Sequence, residues 1–414
     1  MSVTPPVYIL GWAQTDFARH MGREGVGPYA AMAEVARDAV EHAALSPEDI
    51  ETGHVGNFTG ELFNEQGQLG GMLASAFPEW HGLPTARHEA ACASGSVAIQ
   101  AATAELLSGR YETALVVGIE LMRHVGASDA ARFLGTAAWH GEEAQGARFL
   151  WPFMFSELAD EIDRRHGLDD AYLRQWSTLM FANAKRNPRA QSRNWTFEAP
   201  IRAEDATNPV VEGRLRKLDC GRITDGAAAL VLATPSYAAR HAARQGKSLE
   251  QLVTIAGWGH RTATMRMRDK LKRSADAPLI FPHVAVCADE ARQRAGLGSV
   301  SDIDAFEVHD CFSVTGYMLV DHLGITPAGR AFEAFDAGAI ELEGTAPMNP
   351  SGGLIGLGHP VGATGVRMVV DAARQVSGVA GEYQVEGANW VQTLNLGGSA
   401  TTVVSYVVGR RDES

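Results

Sequence analysis

Short apolar runs alternate with alanine-rich segments along most of this chain, and this alternation restricts the possible folds more than any other feature. Residues 7–12 predict an opening strand, and residues 30–44 carry Ala and Val at the spacing of an amphipathic helix. Residues 96–107 predict a helix of small residues that is buried on all sides, and residues 113–118 predict a buried strand. The alternation therefore predicts an α/β fold around a buried sheet.

The same plan occurs twice along the chain. Residues 255–259 (Ile-Ala-Gly-Trp-Gly) resemble residues 9–13 (Ile-Leu-Gly-Trp-Ala), and each copy continues to a glycine-flanked helix start. The copies are predicted to end in strands at residues 228–232 and 401–408. The order of elements matches better than the individual residues do. We therefore predict two similar α/β halves that meet at a shared cleft.

The stretch from residue 122 to residue 217 has a different character. It contains aromatic and charged clusters, has no strands that match the two copies, and includes a basic, turn-prone segment at 183–189. The pattern of the first half resumes at residue 219, which favours an inserted loop domain over an independent domain of another function. The predicted division is 1–121 and 218–250 for the N-terminal half, 122–217 for the loop domain and 251–414 for the C-terminal half.

Charge and cysteine content exclude several classes of protein. The 36 basic and 49 acidic residues give a net charge of −13, which argues against nucleic acid or an anionic membrane as partner, but not against a small anionic ligand. Four cysteines are too few for a disulfide framework, and no metal-binding spacing accompanies them. We see no signal peptide, membrane span or sorting tail, so we expect a cytoplasmic protein with free thiols.

Cys92 is the first candidate for chemistry. It lies in Ala91-Cys92-Ala93-Ser94-Gly95, at the predicted start of the small-residue helix. A helix N-terminus favours the thiolate, which is the nucleophile for attack on a thioester. A buried structural cysteine is the alternative, and it is the commoner fate of a lone cysteine.

Two histidine segments supply the groups that such a nucleophile needs. His359 lies in a glycine-dense stretch before a helix predicted to begin near Ala363, where it can accept the thiol proton or donate to an acyl oxygen. The alternatives are a turn histidine or a phosphate loop, and the second lacks its expected motif. His309 and Cys311 follow a predicted strand, a common site position in α/β folds, although a buried structural pair is the alternative.

A fourth glycine-rich segment closes the candidate site. In residues 394–400 (Leu-Asn-Leu-Gly-Gly-Ser-Ala), two glycines between apolar stretches permit close backbone approach, and their N–H groups are candidates for binding an oxyanion. The alternative is a turn at the end of a strand. Cys220 and Cys287 are interpreted as structural cysteines.

At these residues the chain resembles a thiolase, and most closely the sterol-carrier-protein-2-type branch. Residues 358–365 (Gly-His-Pro-Val-Gly-Ala-Thr-Gly) carry the most specific motif, residues 309–312 (His-Asp-Cys-Phe) are typical of the branch, and residues 224–228 match the segment that re-enters the first domain. The resemblance implies the thiolase fold, with two duplicated α/β halves in layered αβαβα order and an inserted loop domain.

The resemblance also implies a role for each site residue. Cys92 accepts the acyl group, and His359 activates it and shares an oxyanion hole with His309. The backbone N–H groups of Cys92 and Gly397 form a second hole. Cys311 serves as acid and base, because this chain has Asn395 where most thiolases have a cysteine.

The implied function is a thiolase or acetyl-CoA acetyltransferase of lipid metabolism. It transfers acyl groups through a cysteine thioester between CoA thioesters, by 3-ketoacyl-CoA thiolysis or by Claisen condensation. Coenzyme A is substrate and product, with no permanently bound cofactor and no metal. Its phosphates are predicted near Lys185, Arg186 and Arg189, and a homodimer or homotetramer is expected.

Other functions on the same fold remain open at this point. One is an aldolase or lyase that acts on a sterol-like acyl group together with a small OB-fold partner, although such homologues lack the nucleophile that Cys92 supplies. Another is an acyltransferase with a non-CoA acceptor in a multiprotein complex. A non-catalytic scaffold is disfavoured because four candidate catalytic side chains occur together.

Overall fold

The computed structural model describes residues 5–410. The strands are β1 (Val7–Gln14), β2 (Thr52–Gly56), β3 (Thr85–His88), β4 (Thr113–Glu120), β5 (Val210–Glu212), β6 (Leu215–Arg216), β7 (Gly226–Ala233), β8 (Val253–Thr262), β9 (Ala305–Val308), β10 (Trp390–Gly397) and β11 (Thr402–Gly409). The helices are α1 (Met21–Glu24), α2 (Pro28–His42), α3 (Gly60–Asn64), α4 (Leu69–Leu73), α5 (Ser94–Leu107), α6 (Ala127–Leu134), α7 (Leu150–His166), α8 (Asp170–Arg186), α9 (Pro235–Arg244), α10 (Met267–Arg273), α11 (Pro282–Ala295), α12 (Ser313–His322), α13 (Phe332–Asp336) and α14 (Thr364–Ser377).

Nine of the strands form one mixed sheet, in the order β3-β2-β4-β7-β1-β8-β11-β10-β9. The first half of the chain supplies the first five strands of this order, β3, β2, β4, β7 and β1. The second half supplies the other four, β8, β11, β10 and β9. The halves join where β1 pairs antiparallel with β8, with Tyr8 opposite Thr254. The order β2-β4-β7-β1 of one half corresponds to β9-β10-β11-β8 of the other, which supports the predicted duplication.

Helices lie on both faces of each half. Strand β7 is apolar throughout because both of its faces are buried. Leu230 packs against α5 and α14 on one face, and Val231 packs toward α2 on the other. On the outer face of the second half, α11 and α12 share a core with α7 and α8. The predicted αβαβα layering is confirmed.

The segment predicted as a loop domain contains α6, α7 and α8. It also contains the short antiparallel hairpin of β5 and β6, which the sequence analysis did not anticipate because each strand is only three or two residues long. The division at residues 121, 217 and 250 remains a prediction. Within residues 5–410, no helix is long and apolar enough to cross a bilayer.

Candidate active site

The predicted site residues lie where strands of the two halves end. In the first half, β2 is parallel to β3 and β4, and the loop after β3 carries Cys92. In the second half, β9 is parallel to β10, and His309 follows β9 directly. The backbone N–H of His309 donates to the carbonyl of Leu394 at 2.9 Å. Strands with a common direction thus bring both sets of residues to one cleft.

Glycines allow the two central helices to approach each other at their N-termini. A Cβ atom on Gly95, in the first turn of α5, would lie 2.7 Å from the carbonyl oxygen of Gly362. A Cβ atom on Gly365, in the first turn of α14, would overlap Ser96. This close approach requires glycine, and it brings the loop of Cys92 next to the loop of His359.

Three side chains converge in the cleft. The sulfur of Cys92 and ring nitrogens of His309 and His359 all lie within 4.8 Å of one another. The two imidazole rings are nearly perpendicular, with centroids 5.2 Å apart and an interplanar angle of 87°. The structure therefore brings together three residues that are 217 and 50 positions apart along the chain.

The hydrogen bonds of His359 define its role. Its Nδ1 lies 2.7 Å from the hydroxyl of Thr364, and that hydroxyl donates to the carbonyl of Pro360 at 3.0 Å. Because the hydroxyl hydrogen is used there, Nδ1 of His359 is the donor and Nε2 keeps its lone pair. Burial lowers the pKa of His359 to about 3, so the imidazole is neutral and able to take a proton. The sequence analysis did not identify Thr364, although it lies in the same motif.

Cys92 rests as a thiol. Burial raises the pKa of Cys92 to about 12, and a hydrogen bond from the backbone N–H of Gly398 opposes this effect only in part. Helix α5 begins at Ser94, two residues beyond the thiol. Burial therefore opposes the thiolate that the helix start was expected to favour, and that expectation remains a prediction. Nucleophilic attack requires proton transfer to a neighbouring base.

The backbone N–H of Gly398 faces the sulfur of Cys92. Gly397 is the last residue of β10 and pairs with Thr402. A Cβ atom on Gly397 would overlap the carbonyl of Ala90, so this glycine permits close approach of the Cys92 loop. The second oxyanion hole of Cys92 and Gly397 remains a prediction.

Cys311 lies in the same cavity as Cys92. Burial and the neighbouring Cys92 raise the pKa of Cys311 well above the ordinary value, so it also rests as a thiol. The carbonyl of Cys311 accepts a hydrogen bond of 2.7 Å from the N–H of Gly221, which ties this loop to the segment before β7. Cys220 lines the cavity as well, although the sequence analysis interpreted it as structural.

A buried carboxylate links two loops of the site. Glu120, at the end of β4, accepts hydrogen bonds from the backbone N–H groups of Phe58 and Gly362 at 2.9 and 3.0 Å, and from the side chain of Asn57 at 2.9 Å. Burial raises the pKa of Glu120 to about 7. The side chain connects the end of β2 to the loop of His359 and stabilises the cleft across the two halves.

Two cavities meet at the site. The first, of about 270 Å³, is lined mainly by apolar side chains of α6, α7 and neighbouring loops, and Cys92, Cys311 and His359 lie at its inner end. The second, of about 920 Å³, is more polar than the first and carries Arg123, Arg202, Lys217 and Arg222. Lys217 and Arg222 line both cavities. The two spaces therefore lie next to each other, with these two side chains between them.

The three basic residues predicted to bind CoA phosphates lie elsewhere. Lys185 and Arg186 are exposed at the end of α8, and Lys185 lies 5.6 Å from the ring centre of Phe197. Arg189 is half-buried, and neither it nor the other two lines either cavity at the site. That these three residues bind the phosphates of CoA, an expectation from basic composition alone, remains a prediction.

The donor set of the cleft also resembles a metal site in residue type. The amide nitrogen of Asn395 faces Nδ1 of His309 at 3.1 Å, which leaves the proton of His309 on Nε2. A protonated nitrogen does not bind a metal, and the thiol of Cys92 rests protonated. The residues present therefore fit acyl transfer better than metal binding. That the protein uses no metal remains a prediction.

This fold and this cleft define a class of protein: an α/β enzyme that carries acyl groups on a cysteine. Comparison with known proteins leads to the same class. The family model for the thiolase N-terminal domain matches residues 7–160, and the model for the thiolase C-terminal domain-like region matches residues 266–410.

Individual relatives agree with the domain matches. An acetyl-CoA acetyltransferase of Methanothermobacter thermautotrophicus is 30% identical over 98% of this chain and 99% of its own length. Sterol carrier protein 2 of Gallus gallus is 26% identical over 97% of this chain and 72% of its length. The Ltp2-ChsH2(DUF35) aldolase shares the fold, with a TM-score of 0.76 and 20% identity over 99% of this chain and 100% of that chain.

The chain belongs to the thiolase family. The predicted resemblance and the predicted acyltransferase activity are thereby confirmed.

Proposed function

We propose that this thiolase forms an acyl-enzyme on Cys92 and exchanges the acyl group between CoA thioesters. The observation that carries the proposal is the neutral pair of Cys92 and His359, with His309 beside both within 4.8 Å. A thiol next to a neutral imidazole is able to attack a carbonyl while the imidazole takes its proton. His309 offers a donor to the oxygen on which negative charge develops.

The thiolysis direction uses the resting protonation states of the site. His359 takes the proton of Cys92, whose sulfur attacks the 3-keto carbon of a 3-ketoacyl thioester. The bond between the 2- and 3-carbons breaks, and its electron pair is protonated by the thiol of Cys311 to give acetyl-CoA. The thiol of free CoA then attacks the acyl-enzyme and its proton restores Cys311, while the departing Cys92 thiolate takes back the proton that His359 holds. Claisen condensation follows the same steps in reverse.

We assign the acyl chain to the apolar cavity. Its volume of about 270 Å³ exceeds the roughly 150 Å³ that suffices for benzene in an engineered protein cavity. Trp151, Phe149 and Phe155 are among its lining residues. This space supports an acyl group considerably larger than acetyl, with the chemistry still confined to the thioester end.

We assign CoA to the polar cavity, with its thiol end at the junction of the two spaces. Arg222 supports this assignment because its guanidinium is largely buried, its Nε has no hydrogen-bond partner among the described residues, and burial lowers its pKa. Lys217 lines the same junction. Such cations favour phosphate or other anionic groups of a ligand. This assignment replaces Lys185, Arg186 and Arg189.

The assembly state and the compartment are also part of the proposal. Strand β3 is at one end of the sheet, with Ala86 exposed, and it leads directly into the Cys92 loop. Such an edge pairs readily with a second strand, so we propose a homodimer or a tetramer built from such dimers. Free thiols at the site fit a reducing cytoplasm.

The aldolase alternative keeps one supporting observation, namely the fold shared with the Ltp2-ChsH2(DUF35) aldolase. A small OB-fold partner would then complete the site. The presence of Cys92 beside His359 supports thiolase chemistry instead, because a lyase reaction does not require a thiol nucleophile there.

Intact-protein mass spectrometry tests the proposal. The wild-type protein is incubated with acetyl-CoA, with acetoacetyl-CoA and with 3-ketoacyl-CoA substrates of increasing chain length, beside Cys92→Ala and a Cys220→Ala control. We expect one acyl adduct on wild type and on Cys220→Ala, none on Cys92→Ala, and faster acylation by the longer substrates. Adducts that persist in Cys92→Ala would refute the proposal. Carbon–carbon cleavage without any adduct would favour the aldolase.

A further inference from the structure

We propose that Asn395 is a positioning residue that holds His309 in the tautomer with its proton on Nε2, and that Ser96 orients Asn395 for this purpose. This inference rests on the proposed function, because it concerns how His309 becomes an oxyanion donor. The proposal gives a positioning role to the side chain of Asn395, which has no acid–base chemistry of its own.

The contacts form a chain of three side chains from different elements. Asn395, in β10, is 1% exposed, and its amide nitrogen lies 3.1 Å from Nδ1 of His309. Its amide oxygen accepts a hydrogen bond of 3.2 Å from the hydroxyl of Ser96 in α5. The hydroxyl thus fixes which end of the amide faces the histidine. An amide nitrogen only donates, so Nδ1 of His309 is the acceptor.

The consequence lies at the other ring nitrogen. Because Nδ1 accepts, the single proton of the neutral ring is on Nε2. Nε2 of His309 is buried and has no hydrogen-bond partner among the described residues, while the ring is 1% exposed. One ring nitrogen of His309 lies within 4.8 Å of the Cys92 sulfur and of a His359 ring nitrogen. A buried N–H beside the nucleophile, without a partner among the described residues, is a donor available to a substrate oxygen.

The ring is held neutral, which the tautomer argument requires. Burial, the neighbouring His359 and the more distant Arg367 all lower the pKa of His309 well below its ordinary value. Asn395 therefore selects between two neutral forms instead of stabilising a charge. An ionised Asp at this position has the same shape but accepts hydrogen bonds only. Asn395→Asp would draw the proton to Nδ1 and leave a lone pair on Nε2, facing the developing negative charge.

The first test observes the tautomer itself. Long-range 1H–15N correlation spectra of the [15N]histidine-labelled full-length protein distinguish the two ring nitrogens, and a His309→Asn spectrum identifies the His309 signals by their loss. We expect a protonated Nε2 and an unprotonated Nδ1 in the wild type. A protonated Nδ1 in the wild type overturns the proposal. This measurement needs no substrate, so its result stands even if the proposed function fails.

The second test measures the single-turnover rate of acylation at Cys92. Removal of one oxyanion donor costs roughly 10²- to 10³-fold, so we expect a decrease of about that size in Asn395→Asp, with the tautomer inverted and KM little changed. Ser96→Ala, which frees the amide to turn over, is expected to give a smaller loss. An Asn395→Asp protein that keeps the wild-type rate, or keeps the Nε2 proton, overturns the proposal.

A matched control separates the tautomer effect from the cost of a new buried carboxyl group. Gln392 lies three residues earlier on the same strand, is fully buried, and accepts a hydrogen bond of 2.8 Å from Arg292. We expect Gln392→Glu to retain both the acylation rate and the His309 spectrum. If Asn395→Asp does not fold, the wild-type spectrum still tests the tautomer of His309. Ser96→Ala tests the role of Ser96, and an unchanged tautomer balance with an unchanged acylation rate would overturn that role.

Discussion

The side-chain nitrogen of Lys270 donates a hydrogen bond of 2.7 Å to the hydroxyl of Ser399. Ser399 directly follows Gly398, whose backbone N–H contacts the sulfur of Cys92. The same nitrogen lies 2.8 Å from the hydroxyl of Thr401 and 2.9 Å from the carbonyl of Met265, so it has three hydrogen-bond partners. A buried lysine that lines neither cavity at the site therefore holds the turn that carries the Gly398 amide.

We predict that Lys270→Met slows acylation of Cys92 by about 10²-fold, because a displacement of about 1 Å at a reacting group costs that much. The apolar side chain keeps most of the volume but loses all three hydrogen bonds. Lys272→Met, on the exposed side of the same helix, is the control and should keep the wild-type rate. Equal rates in wild type and Lys270→Met would show that the turn is held by other contacts.

The same lysine predicts a pH dependence of stability. Burial lowers the pKa of Lys270 from 10.5 to about 7, so between these values the unfolded protein binds the proton and the folded protein does not. The free energy of unfolding of the wild type should therefore rise relative to that of Lys270→Met as the pH increases from about 7 to 10.5. Urea denaturation of both proteins at pH 7 and pH 9.5 measures this. A difference that falls or stays constant would contradict the low pKa.

Thr364 is predicted to orient the base. Thr364→Val replaces the hydroxyl that accepts from Nδ1 of His359 with a methyl group of similar size. Loss of a hydrogen bond worth about 1 kcal/mol should lower kcat roughly fivefold to tenfold, with KM little changed. Thr364→Ser keeps the hydroxyl and should restore most of kcat. Steady-state kinetics of both variants measure kcat. If Thr364→Ser is as slow as Thr364→Val, the loss of activity results from altered packing and not from the hydrogen bond.

A buried ion pair predicts a large loss of stability. Arg367, in α14, is fully buried and contacts Glu307 at 2.8 Å and Asp371 at 3.4 Å. Arg367→Met leaves Glu307 buried without a cation, although Asp371 keeps Arg374 at 2.9 Å, and this should reduce the free energy of unfolding by about 3–5 kcal/mol. Urea denaturation measures the change.

An exposed pair provides the comparison. Arg330 and Glu333 form an ion pair with side chains 56% and 37% exposed, and Arg330→Met should cost roughly 1 kcal/mol or less. Similar costs for Arg330→Met and Arg367→Met would contradict the view that burial makes the second pair essential.

Arg222 is predicted to recognise CoA. Arg222→Met should raise KM for CoA by roughly tenfold or more, because a hydrogen bond to a charged group contributes about 1.5–3 kcal/mol. The dependence of KM on salt concentration should weaken at the same time. Arg186→Met, an exposed residue of the segment first proposed from composition, is the matched control and should leave KM unchanged. A raised KM for CoA in Arg186→Met, with an unchanged KM in Arg222→Met, would instead support the assignment first made from composition.

The duplication explains why the two key residues of the site face each other. Cys92 lies between β3 and α5. His359 lies between Met348, which forms a single β-bridge with β9, and α14. These positions correspond in the two halves, and the approximate two-fold relation passes near Tyr8 and Thr254. Each half thus contributes one member of the proton-transfer pair from the start of its central helix.

The sequence by itself determined the architecture and the principal reacting groups. Alternating apolar runs and alanine-rich segments predicted the α/β halves because burial on both faces of a sheet demands continuous apolar strands. The motifs around Cys92, His309, Cys311 and His359 identified the cleft because each is a short run of neighbouring residues. The hairpin of β5 and β6 was missed because so few residues carry no detectable period.

Only the tertiary structure decided protonation, orientation and the position of the cavities. Whether Cys92 rests as a thiol depends on how much water the fold removes around it, which no local spacing encodes. The contacts of Asn395 with His309 and of Lys270 with Ser399 join residues 86 and 129 positions apart. Likewise, Arg222 lies at the junction of the cavities because separate segments fold around it. Such roles arise from packing between distant elements, whereas the motifs require only neighbours along the chain.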